Sequence, residues 1–287
     1  MKRIILTPNP YRDRNFEIVR TARDILLEAG FDVKICLPFE MERTADFPKD
    51  IRFHRLDREL SGAFMVVCFG GDGTILHMAK AATRQGVPIL GVNMGTLGFM
   101  AELESSELSL LRRLAEGEYT LDERMMLDVT VHRDRDIIFH DICLNDVVVT
   151  KGAVARIVHL NVRCDGTQAM ECNGDGVILA TPTGSTAYNL SAGGPVVEPE
   201  AANIIITPIC AHDMVSRSIV ASDKREITVC LVKNTHRGAY LSVDGGKALR
   251  INAGDVATVK KSLLTTKLVR LKDRSFYDVI NQKFKNS

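Results

Sequence analysis

The run FGGDGTILHMAKAA, residues 69–82, sets one carboxylate inside a glycine turn at the mouth of a helix. An apolar strand ends at Gly70 and Gly71. Asp72, Gly73 and Thr74 follow, and a helical pattern begins. Glycines let the chain turn sharply and let a ligand approach the main chain. The start of the helix directs unpaired N–H groups and the positive end of its dipole at the same space, a combination that suits phosphate. The turn is not a Walker A loop, which needs G-K-[ST], and it is not G-x-G-x-x-G. A carboxylate beside phosphate is repulsive unless it has a task. Asp72 can take a proton from an attacking hydroxyl or hold Mg²⁺ against the phosphates. The plainer alternative is that it merely bonds its neighbours' backbone N–H groups, as Asp often does in turns.

Two further segments carry chemistry. GDGVILATPTGSTAYNLSAGGPVV, residues 174–197, is dense in glycine, hydroxyl side chains and proline, and includes Tyr188. Short hydroxyls let a planar base come close, and the tyrosine ring can stack on it; a loop capping a β domain is the alternative. Leu144-Asn145-Asp146 precedes the strand VVVT. Its mixed donors and acceptors suit sugar hydroxyls, although Asn-Asp pairs also form ordinary turns.

The elements that must position these residues are of two kinds. Residues 3–8 and 31–38 form strands, with a helix from Asp13 to Gly30 carrying Phe16, Val19, Ala22, Leu26 and Ala29 on one face. A strand at 65–70, a helix at 74–86, a strand at 87–93 and a helix at 106–118 continue the alternation. That order gives a parallel sheet covered by helices. From about residue 124 the period becomes two: Leu127, Val129 and Val131, then Val158, Leu160 and Val162, then Ile227, Val229 and Leu231. Asp165-Gly166 and Asp244-Gly245 are hairpin turn signals. We therefore expect an α/β domain over 1–123, an all-β domain over 124–265, and a tail over 266–287, with a strand at 266–271 and a helix at 275–284, packing back on the first domain.

Composition narrows the functional classes. The chain has 287 residues, 45% hydrophobic and 25% charged, enough for a sizeable core without staples. The formal net charge of +1 gives no electrostatic case for nucleic acid. Seven cysteines, an odd number without C-x-x-C spacing, argue against a disulfide framework or a zinc knuckle. No apolar run approaches the ~20 residues that span a bilayer, and the N-terminus does not read as a signal peptide. We expect a cytoplasmic protein without a membrane partner.

Taken together, FGGDGT at 69–74, NMGTLGF at 93–99, LNDVVV at 144–149 and the segment 174–197 resemble the NAD kinase family in order and spacing. The likeness extends from about residue 64 to the SFYDVINQKF tail. TPTGSTAY is its most specific part, since lipid kinases and phosphofructokinases carry related glycine–aspartate loops. The resemblance implies an α/β domain followed by a β-sandwich, a tail returning to the first domain, and a ligand in the interdomain cleft. It implies transfer of the γ-phosphoryl of ATP to the 2′-hydroxyl of the adenosine ribose of NAD, giving NADP and ADP, with Mg²⁺ or another divalent metal accompanying ATP.

Residue by residue, the resemblance makes Asp72 the proton acceptor, with Gly73 beside it. Asn145 and Asp146 match the pair that holds NAD. Asp175 matches a carboxylate that contacts NAD, from its own or a neighbouring subunit. Thr186, Ala187, Tyr188, Asn189, Leu190 and Ser191 match the segment that wraps the dinucleotide. His77, Arg156 and Asn173 stand at positions of basic or polar contacts. No residue is assigned as a protein metal ligand, and a homodimer or homotetramer is implied. Asp146 stands where the family usually has Glu, and Gly246 where it commonly has Gln after Asp-Gly. A lipid or sugar kinase and a non-catalytic NADP sensor are the alternatives.

Overall fold

The computed structural model describes residues 1–38, 48–95, 98–152, 157–211, 217–232 and 238–285. The chain divides into two compact units: Met1–Glu123 with Thr266–Ser287, and Arg124–Thr265.

The first unit is built on parallel strands. β1 (Arg3–Pro8) lies between β2 (Asp32–Cys36) and β4 (Met65–Gly70). β3 (Phe53–His54) extends the sheet beyond β2, and β5 (Ile89–Asn93) and β6 (Leu103–Glu104) extend it beyond β4. Leu268, near the end of β18 (Val256–Arg270), pairs parallel with Ile89. β4 and β5 are buried throughout, as strands covered on both faces must be.

One face of this sheet carries α1 (Glu17–Glu28), whose Val19, Ala22 and Leu26 pack on Ile4, Leu6 and Val67. The sequence pattern runs from Asp13, but regular helix begins only at Glu17. Asn15 and Phe16 take positive φ of 60° and 59°, and the Asp13 carboxylate accepts the N–H groups of Ile18 and Val19 at 3.1 and 3.0 Å. Asp13 thus supplies the cap from outside the helix. Residues 56–59 form the single turn α2 (Leu56–Glu59). α3 (Asp72–Arg84) starts two residues before the 74–86 expectation, because Asp72 and Gly73 already have helical backbone. The helix expected over 106–118 is mostly a 3₁₀ segment, Ser105–Arg112, and only α4 (Arg113–Glu116) is α-helical before Gly117 (φ 75°) stops it.

The second unit holds two antiparallel systems. Its first sheet joins β7 (Thr120–Arg133), β8 (Asp136–Cys143), β10 (Val158–Cys164), β11 (Thr167–Gly174), β15 (Ile227–Leu231) and β18. Its second runs β14 (Ile219–Ser222), β13 (Asn203–Ile209), β12 (Gly176–Ala180), β9 (Asp146–Lys151), β16 (Ala239–Val243) and β17 (Leu249–Ile251). Leu127, Val129, Leu160, Val162 and Val229 of the first sheet share one core with Val147, Val149, Leu179, Ile206 and Leu241 of the second, which makes a sandwich. Each such side chain contributes about 1.5–3 kcal/mol by burial. Asp165-Gly166 turns the chain with φ of 48° and 79°, the left-handed pair that a tight hairpin requires.

β12 is buried on both faces. Val148, Ile178, Ala180 and Ile205 form a second apolar cluster on the far side of its sheet, covered by Ala192 and Val197. The glycine- and hydroxyl-rich segment is therefore packed over a sheet face. It contains the 3₁₀ turn Thr183–Thr186 and α5 (Tyr188–Ser191). The tail ends in α6 (Phe276–Lys285). Among the described residues no helix is long and apolar enough to cross a membrane.

Candidate active site

In the first unit, Asp72 opens α3, and among the described residues no side chain caps that helix. Gly70 is required one turn earlier: a β-carbon there would lie 2.8 Å from Cβ of Thr74. Thr74 is buried and its hydroxyl accepts a hydrogen bond from Nδ2 of Asn9 at 3.3 Å, which ties the loop after β1 to the helix start. The Asp72 carboxylate accepts two backbone bonds. Phe99 N–H donates to Oδ2 at 2.7 Å and Met100 N–H to Oδ1 at 3.0 Å. The two donors lie 27 and 28 residues along the chain, so this is a long-range anchor and not a local turn contact, and it leaves each oxygen further acceptor capacity. Asp72 is half-buried, whereas Gly73 and His77 are exposed.

In the second unit, Asn145 and Asp146 lead into β9, and Asp244 holds them. Its carboxylate accepts the N–H groups of Leu144, Asn145 and Asp146 at 2.9, 2.8 and 3.2 Å. The Asp244 N–H in turn donates to the Asp146 carbonyl at 2.9 Å. Burial, together with the Asp244 charge, pushes the Asp146 carboxyl up to about 7. Asn145 Oδ1 is buried and accepts no hydrogen bond among the described residues. A buried acceptor left open costs free energy unless a ligand donor meets it.

The segment after β12 lies against this pair. Thr181 N–H donates to the Asn145 carbonyl at 2.8 Å, and the Thr181 hydroxyl to the Leu144 carbonyl at 2.5 Å. A β-carbon at Gly184 would lie 2.5 Å from the carbonyl carbon of Asn145. Asn189 is fully buried. Its Nδ2 donates to the carbonyls of Ser185 and Pro195 at 2.9 and 3.0 Å, and its Oδ1 accepts from the Thr207 hydroxyl at 2.7 Å. Asn189 therefore braces the turn. Tyr188 is 45% exposed, so its ring is available for stacking. Thr186, Ala187 and Leu190 are partly exposed and Ser191 is exposed.

Asp175 and Asn173 are placed elsewhere in the unit. β12 pairs Ala180 with Asp146 at one end and Gly176 with Thr150 at the other. Asp175 therefore lies roughly 20 Å along the strand from Thr181. It pairs there with Lys151 at 2.6 Å. Asn173 Oδ1 meets Nδ1 of His159 at 2.6 Å. Asn145, Asp146 and the 181–191 segment are brought together, and Asp175 and Asn173 form a separate group. Arg156 lies outside the described residues.

Sequence reasoning missed two supports. Asp244-Gly245 carries a hairpin signal in the sequence, yet Asp244 is a non-glycine residue at φ 50° whose carboxylate does the anchoring. The Asp-Gly pair was the visible sign. Arg124 is buried and donates to the Thr183 hydroxyl at 3.3 Å; an arginine entering an apolar strand before Met125 and Met126 was the signal.

No group of three or more His, Cys, Asp or Glu side chains that could hold a metal occurs among the described residues. Asp72 still has lone pairs to offer one ion. Such a site fits Mg²⁺, which keeps water and nucleotide phosphate oxygens as most of its ligands.

The fold defines a class: a parallel α/β unit presenting a glycine–aspartate helix start, joined to an antiparallel sandwich with a hydroxyl-rich covering segment. Comparison with known proteins specifies it. The ATP-NAD kinase N-terminal domain matches residues 4–119, and the ATP-NAD kinase C-terminal domain matches residues 144–271. The NAD kinase of Acetivibrio thermocellus is 39% identical over 284 residues, covering 99% of this chain and 97% of that one. The NAD kinase of Natranaerobius thermophilus is 38% identical over 286 residues, covering 99% and 98%. Among solved structures, yeast NADH kinase complexed with NADH superposes with a TM-score of 0.86 at 24% identity, covering 99% of this chain and 88% of that one. An NAD kinase from Archaeoglobus fulgidus in complex with ATP gives 0.75 at 24% identity, covering 99% of each. The chain belongs to the ATP-NAD kinase family.

Proposed function

We propose that this protein is an NAD kinase that transfers the γ-phosphoryl of ATP to the 2′-hydroxyl of the adenosine ribose of NAD, releasing NADP and ADP. The observation that carries the reading is Asp72, a carboxylate pinned by two backbone N–H groups at the uncapped start of α3.

Phosphoryl transfer is mainly positioning and charge stabilisation. The start of α3 and the exposed backbone at Gly73 bind donor phosphate. Asp72 accepts the 2′-hydroxyl proton as the phosphoryl group arrives. Asp72 would be the protein group able to hold a divalent metal ion, which when bound with ATP would supply compensation for the phosphate charge. Asn145 Oδ1 accepts from a ribose or amide donor of NAD, and Asp146 binds beside it. Tyr188 stacks on a base, Thr186, Ala187, Leu190 and Ser191 line the same wall, and Asn189 keeps that wall in shape. His77 and Arg156 supply basic contacts.

The separation of Asp175 and Asn173 from the Asn145 group supports a homo-oligomer, in which they serve NAD held by a neighbouring subunit. We place the protein in the cytoplasm, where NAD and ATP are abundant. The test is an assay of purified protein with NAD and ATP, with diacylglycerol and fructose 6-phosphate as competing acceptors. NADP formation supports the reading. Phosphorylation of either other acceptor, or tight NADP binding without ATP turnover, overturns it.

A further inference from the structure

We propose that Arg270 is a positioning residue for Asp72, acting through the backbone of Met100; the inference rests on the reading of Asp72 as the proton acceptor. Met100 is held at both of its polar backbone groups. Its N–H donates to Oδ1 of Asp72 at 3.0 Å, and its carbonyl accepts from Nη1 of Arg270 at 3.2 Å. The neighbouring Phe99 N–H takes the other Asp72 oxygen at 2.7 Å. The two contacts fall on the successive peptide planes that meet at the Met100 α-carbon, so Arg270 restricts the φ/ψ freedom through which the N–H that aims the carboxylate could move.

The guanidinium is itself held without slack. Nε and Nη2 donate to Oδ2 of Asp122 at 3.1 and 2.9 Å, and Nη1 also reaches Oε2 of Glu102 at 3.3 Å. Glu102 is buried, and its other oxygen accepts the N–H groups of Leu271 and Lys272 at 2.8 and 2.6 Å. The Glu102 N–H donates to the Gly91 carbonyl at 2.9 Å, so the segment is registered on β5 as well. Arg113 closes the set by donating to the Leu271 carbonyl. Residues 99–104 are thus fixed by Asp72 at one end and by the chain end of β18 at the other. A planar fork that satisfies two carboxylates and a carbonyl at once is a task for Arg and not for Lys. The carbonyl is the informative partner. Charge balance requires Glu102 and Asp122 to be paired, but it does not require Arg270 to orient Met100.

The test separates positioning from ion pairing. Arg270→Met removes the hold on Met100, while Asp122→Asn weakens the ion pair and leaves the Met100 contact in place. Turnover, KM for NAD and melting temperature are measured for each. Hydrogen exchange is followed in the peptide containing residues 98–102. Arg270→Met is expected to lower kcat by about 10-fold or more with KM for NAD changed less than about 2-fold, and to speed exchange at 98–102. Asp122→Asn is expected to lower the melting temperature and leave kcat within about 2-fold of wild type. Should Arg270→Met fail to fold, Arg270→Lys replaces it: lost kcat at retained melting temperature supports the proposal. Equal kcat losses in the Arg270 and Asp122 variants, or retained kcat with unchanged exchange at 98–102, overturn it. If wild-type protein makes no NADP, the functional reading fails on its own, and the exchange comparison alone decides the structural link.

Discussion

A β-carbon at Gly98 would lie 2.7 Å from Cγ of Asp72. Real side chains do not approach so closely, so the glycine is the space into which the carboxylate fits. Gly98→Ala should push Asp72 away from the N–H groups of Phe99 and Met100. We expect turnover to fall on the order of 10²-fold and stability by about 1–3 kcal/mol, checked by steady-state NADP formation and urea unfolding. Turnover near that of wild type would show that the close packing is irrelevant to chemistry.

Asp72→Asn is the direct test of proton acceptance. The amide still presents an oxygen to one of the two N–H groups, but its NH₂ faces the other as a second donor. NAD binding should persist while turnover drops ~10²- to 10⁴-fold, the usual worth of a general base. Calorimetry with NAD alone, set beside the turnover assay, separates the two quantities. Loss of NAD binding with kcat intact would remove Asp72 from the proton path.

Asp244→Ala would strip three backbone N–H groups of their acceptor at once. Each unsatisfied buried donor costs about 1–3 kcal/mol, so the loop at Leu144–Asp146 should loosen. KM for NAD should rise at least ~10-fold, with a lowered melting temperature. Asp244→Asn retains one acceptor oxygen and should fall between the two. Unchanged KM in the alanine variant would mean that Asn145 is held by other contacts.

Asp146 gives a pH dependence with a definite sign. Its carboxyl is raised from 3.8 to about 7 by burial first and the Asp244 charge second. The folded state therefore holds this proton more tightly than the unfolded chain does. Its stabilising contribution is complete below pH ~4 and is lost as pH rises through ~7. Asp146→Asn carries no such charge. The advantage of the variant over wild type should grow as pH rises from ~4 to ~7 and level off above that, read from denaturant midpoints. Equal pH profiles would show that the carboxylate charge is not paid for by the fold.

How much of this was legible follows the range of the interactions. The βαβ order around Asp72 reads directly from local pattern, because strand, glycine turn and helix are contiguous. The antiparallel unit reads from period two at Leu127, Leu160 and Val229. The 3₁₀ form of residues 105–112 was not visible, since a 3₁₀ turn and an α-helix share the same apolar spacing over so short a run. Asp13 looked like the first residue of α1, and only the left-handed Asn15 and Phe16 show it to be a cap reaching in from outside. Asp244 and Arg270 were invisible for a simpler reason. Each acts on a backbone about 100 or more residues away, and nothing near either one in the chain reveals the group it meets.

The bracing of residues 183–197 has a kinetic consequence. Asn189, Ser185 and Thr207 already satisfy one another across the turn, and Ser185 both donates to and accepts from Val197 at 3.0 Å. If this segment receives the dinucleotide as proposed, the ligand would meet a surface already ordered by folding. Association should then be a single fast phase proportional to ligand concentration, without a slow saturating step of loop closure. Discrimination among dinucleotides would accordingly reside in how quickly each one leaves.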